Sequence, residues 1–156
     1  MSIEATPVDP RLTFNYSIEC DGLEIALCQK VNIPEASVEV VEHSGPGAAY
    51  NTKTGGKLTF ADITIEKVMR AEIGDKWAWE WLKKVRNPTT GAGQVSSKYK
   101  KVLTILHYGP AREILDRWVV KGCWVSKLAY SANDASQKGD KMMESVTLTI
   151  DMYDRP

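Results

Sequence analysis

The residues that most often carry metal or redox chemistry are few in this chain and lie apart. Cys20, Cys28 and Cys123 form an odd set without a CxxC pair, which favours buried thiols over a disulfide framework or a structural zinc site. His43 and His107 are the only histidines, and neither belongs to an HxxxH or HExxH arrangement. The sequence therefore predicts no metal site and no cofactor.

Acid–base, nucleophilic and phosphate-binding sites also lack their usual spacing. No pair of carboxylates stands in a recognisable general acid–base arrangement, and residues 44–47 lack the strand-to-helix context of a nucleophile elbow. The glycine-rich stretch around them has no GxxxxGK[ST] motif and no helix start after it, so it is typical of a long exposed loop. We predict no catalytic residue and no enzymatic activity.

Five tryptophans remain as residues that could bind a ligand, by stacking on sugars or unpaired bases. Three of them lie in the segment WAWEWLKKV, where Trp77, Trp81 and Val85 are spaced four apart on one predicted helical stripe. Core packing accounts for that stripe better than ligand binding does. Trp79 lies off the stripe and is the candidate for a surface contact.

The elements around these residues are predicted mainly from alternation. Residues 12–20 and 146–152 alternate apolar and polar side chains, which predicts strands with one dry and one wet face. Asp21-Gly22 predicts a hairpin turn into a second strand over residues 23–28. In residues 58–65 the alternation slips at Ala61-Asp62, which predicts a bulge that keeps both halves facing the core.

The helix and the loops complete this prediction. Asp75 is the expected N-cap of the tryptophan-rich helix, and Asn87-Pro88 is expected to end it. Residues 101–108 predict a covered strand, and residues 113–130 predict two strand pieces bent near Gly122. The fold class is mainly β with one short helix, with six to eight strands in a barrel-like or sandwich-like single domain over residues 1–156.

Composition narrows the class of protein. The chain has 156 residues, and its 20 lysines and arginines equal its 20 aspartates and glutamates, so no overall basic excess favours a general grip on nucleic acid. No apolar run reaches the roughly 20 residues that span a bilayer, and the first residues lack the pattern of a signal peptide. We expect a soluble protein without a membrane partner.

Six segments, taken in order, carry a resemblance to a known family. They are DPRLTFNYSIECDG, SVEVVEH, GKLTFADITIEKV, WEWLKKV, RWVVKGCWVSKLAYSANDASQKGD and ESVTLTIDMY, and the similarity runs from about residue 8 to residue 153. Over this range the chain resembles the tail-tube proteins of contractile-tailed bacteriophages. The resemblance implies a β-barrel-like subunit, similar in fold to the haemolysin-coregulated protein of type VI secretion, that forms hexameric rings stacked into a tube.

The resemblance also implies a function, partners and a place. The subunit would polymerise into a hollow conduit for DNA and contact the tail sheath, a baseplate tube initiator, a tail terminator and the tape-measure protein. It would belong to the tail of the virion and be assembled in the host bacterial cytoplasm. If each subunit gives four strands, roughly 24 strands at about 4.8 Å and a tilt of about 40° make a barrel of about 48 Å, wide enough for duplex DNA.

Three surfaces follow as hypotheses. Polar faces of the alternating strands would line the channel without lysine or arginine, so that cargo is not tightly bound; these residues are Thr13, Asn15, Ser17, Glu19, Thr64, Glu66, Thr147, Thr149 and Asp151. The glycine-rich loop would contact the next ring; its residues are Ala48, Ala49, Tyr50, Asn51, Thr52, Lys53, Thr54, Gly55, Gly56 and Lys57. Trp79 would mark the outer face that meets the sheath.

Alternative functions remain open at this stage. The chain could be the inner-tube protein of an extracellular contractile injection system that carries protein cargo, or a tube-initiating baseplate protein. A more distant alternative is a carbohydrate-binding β module that uses its tryptophans. Hexamers or tubes would exclude the last alternative, and gene neighbours would separate the others.

Overall fold

The computed structural model describes residues 9–20, 28–71, 73–136 and 138–156, which contain nine strands and two helices. The predicted turn at Asp21-Gly22 and most of the strand predicted to follow it lie outside these residues. The elements are β1 (Tyr16–Glu19), β2 (Cys28–Val31), β3 (Ala36–His43), β4 (Thr52–Phe60), β5 (Ile63–Val68), α1 (Trp77–Val85), α2 (Ser96–Tyr99), β6 (Lys101–Tyr108), β7 (Ile114–Tyr130), β8 (Met143–Thr149) and β9 (Met152–Asp154).

Seven of the strands form one antiparallel system that is bent into two sheets by β7. Its order is β1-β6-β7-β8-β5-β2, with β9 also paired to β7. β7 bends at Gly122, whose φ of 71° is left-handed, so that its first half pairs with β6 and β9 and its second half pairs with β8. We call β1, β6, β9 and the first half of β7 sheet A, and β2, β5, β8 and the second half of β7 sheet B.

The hydrophobic core lies between the two sheets and is closed by α1. Alternation builds it, because each strand turns every second side chain inwards. Sheet A contributes residues such as Leu103 and Val120, sheet B contributes residues such as Ile65 and Val146, and α1 contributes Trp81. The predicted mainly-β fold is confirmed, and the alternation of β8 that predicted its inner row is matched by the buried Val146 and Leu148.

The predicted opening hairpin stays a prediction, because its turn and all but Cys28 of its second strand lie outside the described residues. β1 pairs with β6 and β2 pairs with β5, so the two strands lie at opposite ends of the strand order. The first strand also begins later than predicted, at Tyr16, and Phe14 is 71% exposed instead of facing the core. The backbone groups of a short strand can hydrogen-bond with any open sheet edge in the fold. The strand nearest in sequence is only one of the candidates.

β3 and β4 form a separate two-stranded arm that spans residues 36–60. The predicted bulge at Ala61-Asp62 is instead the point where the chain passes from this arm into sheet B, so Leu58 is 56% exposed and not in the core. The predicted glycine loop is also shorter, because β4 already begins at Thr52. At the base of the arm, the ring of Phe60 packs edge-on against Tyr153 at 4.9 Å.

α1 begins one residue later than predicted. Lys76 is the N-cap residue and makes no side-chain capping bond, whereas the predicted cap, Asp75, accepts a hydrogen bond from the backbone N–H of Arg70 at 2.7 Å. The helix ends at Val85, before Asn87-Pro88, as predicted. The following segment, predicted as a loop, contains α2.

A charged cluster lies buried beneath sheet B. Nζ of Lys67 is 3.4 Å from Oε1 of Glu144 and 3.6 Å from Oδ1 of Asp75, and all three side chains are at most 5% exposed. Burial raises the pKa of the Glu144 carboxyl, and the Lys67 ammonium opposes that rise. The cluster ties the chain before α1 to the inner face of β5 and β8.

Candidate assembly and channel surfaces

Two of the three cysteines, Cys28 and Cys123, have thiols whose pKa is raised by burial, that of Cys123 to about 12. A thiol with a raised pKa is a poor nucleophile at neutral pH because little thiolate is present. Within the described ranges, no three His, Cys, Asp or Glu side chains are grouped so that they could hold a metal ion.

His107 belongs to a charged cluster at one end of sheet A. Asp116 lies opposite it on β7 and is bound by Arg11 at 3.1 Å and by Arg155. These two arginines, Arg155 first, hold the pKa of Asp116 at about 2. Burial and then the charge of Arg11 lower the pKa of His107. The cluster fastens the segments near both ends of the described chain to the same sheet.

The outward face of sheet B carries a compact polar surface. Thr64 pairs with Thr147 and Glu66 pairs with Ser145 across β5 and β8, and all four are half-buried. The alternate pairs turn inwards, as Ile63 with Leu148 and Ile65 with Val146 do. Thr149 continues the outward row at the end of β8. The structure therefore brings Thr64, Glu66, Thr147 and Thr149 together, as predicted for channel-lining residues.

Two lysines share this face, which the sequence analysis did not include. Lys30 of β2 is opposite Glu66, and Lys127 of β7 is opposite Thr147. The expectation of a face without lysine is therefore wrong for sheet B. Lys30 was missed because β2 has only four residues and an irregular register. So short a strand shows no alternation from which the face of Lys30 could be predicted.

The other predicted lining residues lie elsewhere. Ser17 and Glu19 are on β1 in sheet A, and Oγ of Ser17 is 2.9 Å from the hydroxyl of Tyr108. Thr13 and Asn15 precede that strand. Asp151 lies in the bend between β8 and β9, where the ammonium of Lys100 is 2.9 Å from its carboxylate. Sheet A packs on the opposite side of the core from the outward face of sheet B.

Sheet B has two open edges. Its order is β2-β5-β8-β7, so β2 and the second half of β7 are its outer strands. Within the described residues, neither of these segments has a strand on its other side. Such edges present unpaired N–H and C=O groups that favour pairing with another strand.

The arm has one apolar face, of which sequence reasoning assigned only Leu58 to the core. Val38 pairs with Leu58 and Val40 pairs with Gly55, and Val40 is 62% exposed. The opposite face is polar, with Oγ of Ser37 3.0 Å from Oγ1 of Thr59. The predicted stacking segment 48–57 occupies the tip of the arm and the first part of β4. The alternation of SVEVV was visible in the sequence, but it does not say whether its apolar face meets a core or a partner.

The tryptophan helix is mainly a core element with a partly exposed side. Trp81 is buried, packs edge-on against Trp77 at 5.4 Å and donates a hydrogen bond from Nε1 to the carbonyl of Tyr99 at 2.6 Å. Trp79 is only half-buried. Because Ala78 and Trp81 pack with the inner row of sheet B, α1 lies on the other side of that sheet from its polar face.

A family model described as the T4-like virus tail tube protein gp19 matches residues 12–153. The chain belongs to this tail-tube family. It is therefore a structural component of a contractile tail or of a related particle, and membership favours this role over the carbohydrate-binding alternative. No protein of curated function matches the chain by sequence.

Solved structures support the fold of this tail-tube protein. The tube-terminating cap of the anti-feeding prophage superposes with a TM-score of 0.78 at 18% identity, covering 99% of this chain and 95% of that one. A chain of the PVC extracellular contractile injection system, from its sheath-tube complex in the extended state, gives 0.72 at 19% identity with 94% and 91% covered. A chain of the six-fold symmetrised anti-feeding prophage baseplate gives 0.69 at 11% identity with 98% and 97% covered.

The helices give no sign of a membrane segment. In the part of the chain that the structure describes, no helix combines the length and apolar character that crossing a bilayer requires.

Proposed function

We propose that six copies of the chain form a ring, that rings stack into a tube, and that the polar face of sheet B lines its bore. The observation that carries the proposal is sheet B itself, which has four strands, two open edges, and a polar face turned away from the core. An open sheet with this combination is incomplete in a single subunit. A solved relative from a six-fold symmetrised baseplate supports the ring number.

The strand directions of sheet B permit closure into one barrel. All neighbours in it are antiparallel, so β2 and the second half of β7 run in opposite directions at the two edges. When β2 of one copy meets β7 of the next, that pair is also antiparallel. Six copies then give roughly 24 strands and a backbone diameter of about 48 Å at a strand spacing of about 4.8 Å and a tilt of about 40°.

The proposed lining suits a conduit. We restrict it to Thr64, Glu66, Thr147 and Thr149 with the two lysines of the same face, because the β1 residues face away on sheet A. Lys30 lies opposite Glu66, Lys127 is the second cation of the face, and the threonine hydroxyls share the face with Trp124, which pairs with Thr149. Few uncompensated cations mean few phosphate contacts, so DNA would pass without being held.

The arm is the proposed contact between copies. A two-stranded hairpin is only marginally stable in water, and this one exposes an apolar face of Val38, Val40 and Leu58. Burial against a neighbouring copy would remove that face from water, and the tip with Tyr50 would reach the next ring. Repeated contacts of this heterologous kind produce an open fibre of stacked rings.

The remaining partners are proposed from the family and from relatives. The half-buried Trp79 faces away from the bore side of sheet B and is the proposed sheath contact. A baseplate initiator, a terminator, a tape-measure protein and DNA complete the set, with assembly in the host cytoplasm and no catalytic role. The inner tube of an extracellular injection system is the second candidate, because one of the similar structures is the sheath-tube complex of the PVC extracellular contractile injection system.

The test is electron microscopy of the purified chain at increasing concentration, with sedimentation velocity in parallel. We expect hexameric rings or hollow tubes. A chain that stays monomeric at high concentration contradicts the proposal. Neighbouring genes then separate the two candidates, since capsid and portal genes indicate a phage and a toxin gene indicates an injection system.

A further inference from the structure

The buried cluster of Lys67, Asp75 and Glu144 has no part in the proposed function. Cross-strand pairing places Lys67 of β5 directly opposite Glu144 of β8, and Asp75 joins them from the segment before α1. The side chains of Lys67, Asp75 and Glu144 are 4%, 5% and 2% exposed, respectively. An amine and two carboxyl groups are therefore held together in a site from which bulk water is largely excluded.

The contacts of the Lys67 ammonium are close, but they are longer than tight hydrogen bonds. Its Nζ lies 3.4 Å from Oε1 of Glu144 and 3.6 Å from Oδ1 of Asp75, whereas charge-assisted N–H···O bonds measure about 2.7–2.9 Å. Oε1 of Glu144 is buried and has no hydrogen-bond partner among the described residues. A carboxylate oxygen in this position is placed to accept a proton from the neighbouring amine.

The carboxyl group of Asp75 is held in a fixed orientation beside the Lys67 nitrogen. Its Oδ2 accepts a hydrogen bond from the backbone N–H of Arg70 at 2.7 Å, and the Arg70 guanidinium lies 3.8 Å from Oδ1. Donors of this kind stabilise the negative charge that develops on the oxygens of a carboxyl group when a nucleophile adds to its carbon. Asp75 is therefore the carboxyl group of the cluster that is arranged to be attacked, and Glu144 is the one arranged to carry a proton.

Burial favours a reaction that removes charge from the cluster. Taking an ammonium and a carboxylate out of water carries a large desolvation cost, and their condensation to an amide removes both charges. Burial is also the main cause that raises the pKa of the Glu144 carboxyl, so this group holds a proton more readily than an exposed glutamate does. Groups fixed side by side in this way react with effective concentrations of up to about 10⁵–10⁸ M.

We propose that Lys67 and Asp75 join in an intramolecular isopeptide bond, with Glu144 relaying protons. Glu144 accepts a proton from the Lys67 ammonium, and the neutral Nζ then adds to Cγ of Asp75. One C–N bond forms, one C–O bond of the Asp75 carboxyl breaks, and two protons of the former ammonium leave with that oxygen as a water molecule. Glu144 ends the reaction in the state in which it began, and no oxidant, metal or cofactor takes part.

The ion-paired cluster is the form before this reaction, and it is the form that a freshly purified subunit has. The bond closes the segment between β5 and α1 into a covalent loop, which fastens the tryptophan helix to sheet B independently of salt and pH. All three residues belong to one subunit, so the reaction requires no ring or tube and converts no other molecule. A chain that never forms rings would overturn the proposed function and leave this inference open to its own test.

The test is the intact mass of the purified chain, measured at once and again after prolonged incubation at neutral pH. We expect the wild type to lose the mass of one water molecule. Lys67→Arg keeps a cation but cannot form this bond, so it should keep its full mass. The matched control Lys30→Arg, at an exposed lysine opposite Glu66, should lose water as the wild type does. Glu144→Gln cannot accept the proton and should react at least about a hundredfold more slowly.

Peptide mapping locates the bond and separates it from other losses of water. Trypsin should no longer cleave after Lys67, and the digest should contain one branched peptide that joins Lys67 to Asp75. Asp75→Asn should form the same bond with loss of ammonia in place of water, which a purely structural role of Asp75 does not produce.

A wild-type chain that keeps its full mass after incubation overturns the inference. A loss of water that maps to a succinimide at Asp21-Gly22, or to any site other than the Lys67–Asp75 pair, overturns it as well. Because the wild-type mass alone decides, the inference stays testable even if a variant of the buried cluster does not fold.

Discussion

The buried side chain of Lys67 shows how single charges hold this fold together. Its ammonium pairs with Glu144 and Asp75, and Asp75 is also paired with Arg70 at 3.8 Å, so Lys67→Met removes the cation that faces the buried Glu144 carboxylate. We expect a loss of about 3–5 kcal/mol in the free energy of unfolding, because an uncompensated buried charge is costly. The control Lys30→Met, on the exposed face beside Glu66, should cost about 1 kcal/mol or less. Urea unfolding of the monomer measures both, and similar losses would contradict the account.

A second residue-scale prediction concerns acid. The pKa of Asp116 is about 2 in the folded protein, below its ordinary value near 4, because Arg155 and Arg11 bind it. The stability from this carboxylate is therefore present above about pH 4 and is lost as the pH falls toward 2. Asp116→Asn should lower the free energy of unfolding at pH 5 and remove part of the decrease that the wild type shows between pH 5 and pH 2.5.

The control is Asp62→Asn, which changes an exposed carboxylate without an ion pair among the described residues. If both variants lose as much stability between pH 5 and pH 2.5 as the wild type does, the prediction is wrong.

The face on which a side chain lies was predictable where the strand was long enough to show an alternation of apolar and polar residues. The alternation of β5 and β8 placed Thr64, Thr147 and Thr149 on one polar face. Lys67 is a charged residue at an inward position of β5, where the alternation predicts an apolar one. No local pattern predicts this, because its partner Glu144 lies far along the chain. Long-range ion pairs of this kind are fixed by the pairing of strands and not by either strand alone.

At the scale of elements, the bend of β7 decides how the two sheets meet. Gly122 has a φ of 71°, and a Cβ there would also clash with the carboxylate and Cβ of Asp151. Gly122→Ala should therefore cost about 1–3 kcal/mol of stability. Gly45→Ala is the control, since a Cβ there meets nothing within 4 Å and its φ is not left-handed, and it should change stability by less than about 0.5 kcal/mol. Thermal unfolding compares them, and a tolerated Gly122→Ala would show that the bend does not depend on glycine.

The arm gives an element-scale prediction that separates folding from assembly. Leu58 is exposed in the subunit, so Leu58→Asp should change monomer stability by only about 0.5 kcal/mol. It should nevertheless abolish rings or tubes, because the charge would enter the proposed contact between copies. Thr59→Asp on the opposite, polar face is the control and should still assemble. Tubes of normal yield from Leu58→Asp would remove the arm from the interface.

The positions of helices and strands were predicted better than the pairing between strands. Alternation and glycine positions indicated most strands, the helix and the bend near Gly122, but the partner of each strand was not encoded locally. β1 and β2, for example, pair with β6 and β5, which lie far along the chain. The arm was missed because an apolar strand face is the same signal whether it meets a core or a neighbouring subunit.

At the scale of the whole molecule, the subunit has two faces of different character on either side of its core. The outward face of sheet B is polar and carries Lys30, Lys127 and Glu66. The side formed by α1 and α2 is basic, with three exposed lysines that form no ion pair in the described structure, namely Lys76, Lys84 and Lys98. Such an arrangement suits a wall that touches different partners inside and outside. The sequence predicted the family and the tube, but the three-dimensional structure was needed to show which face can line the bore.

The most direct test of this account is a helical cryo-EM reconstruction of the assembled chain, read for the surroundings of Thr147 and Trp79. We expect a continuous barrel in which β2 of each copy pairs with β7 of the next, Thr147 faces the open bore, and Trp79 lies on the outside. Thr147 packed against a neighbouring subunit, or Trp79 exposed to the bore, would contradict the account.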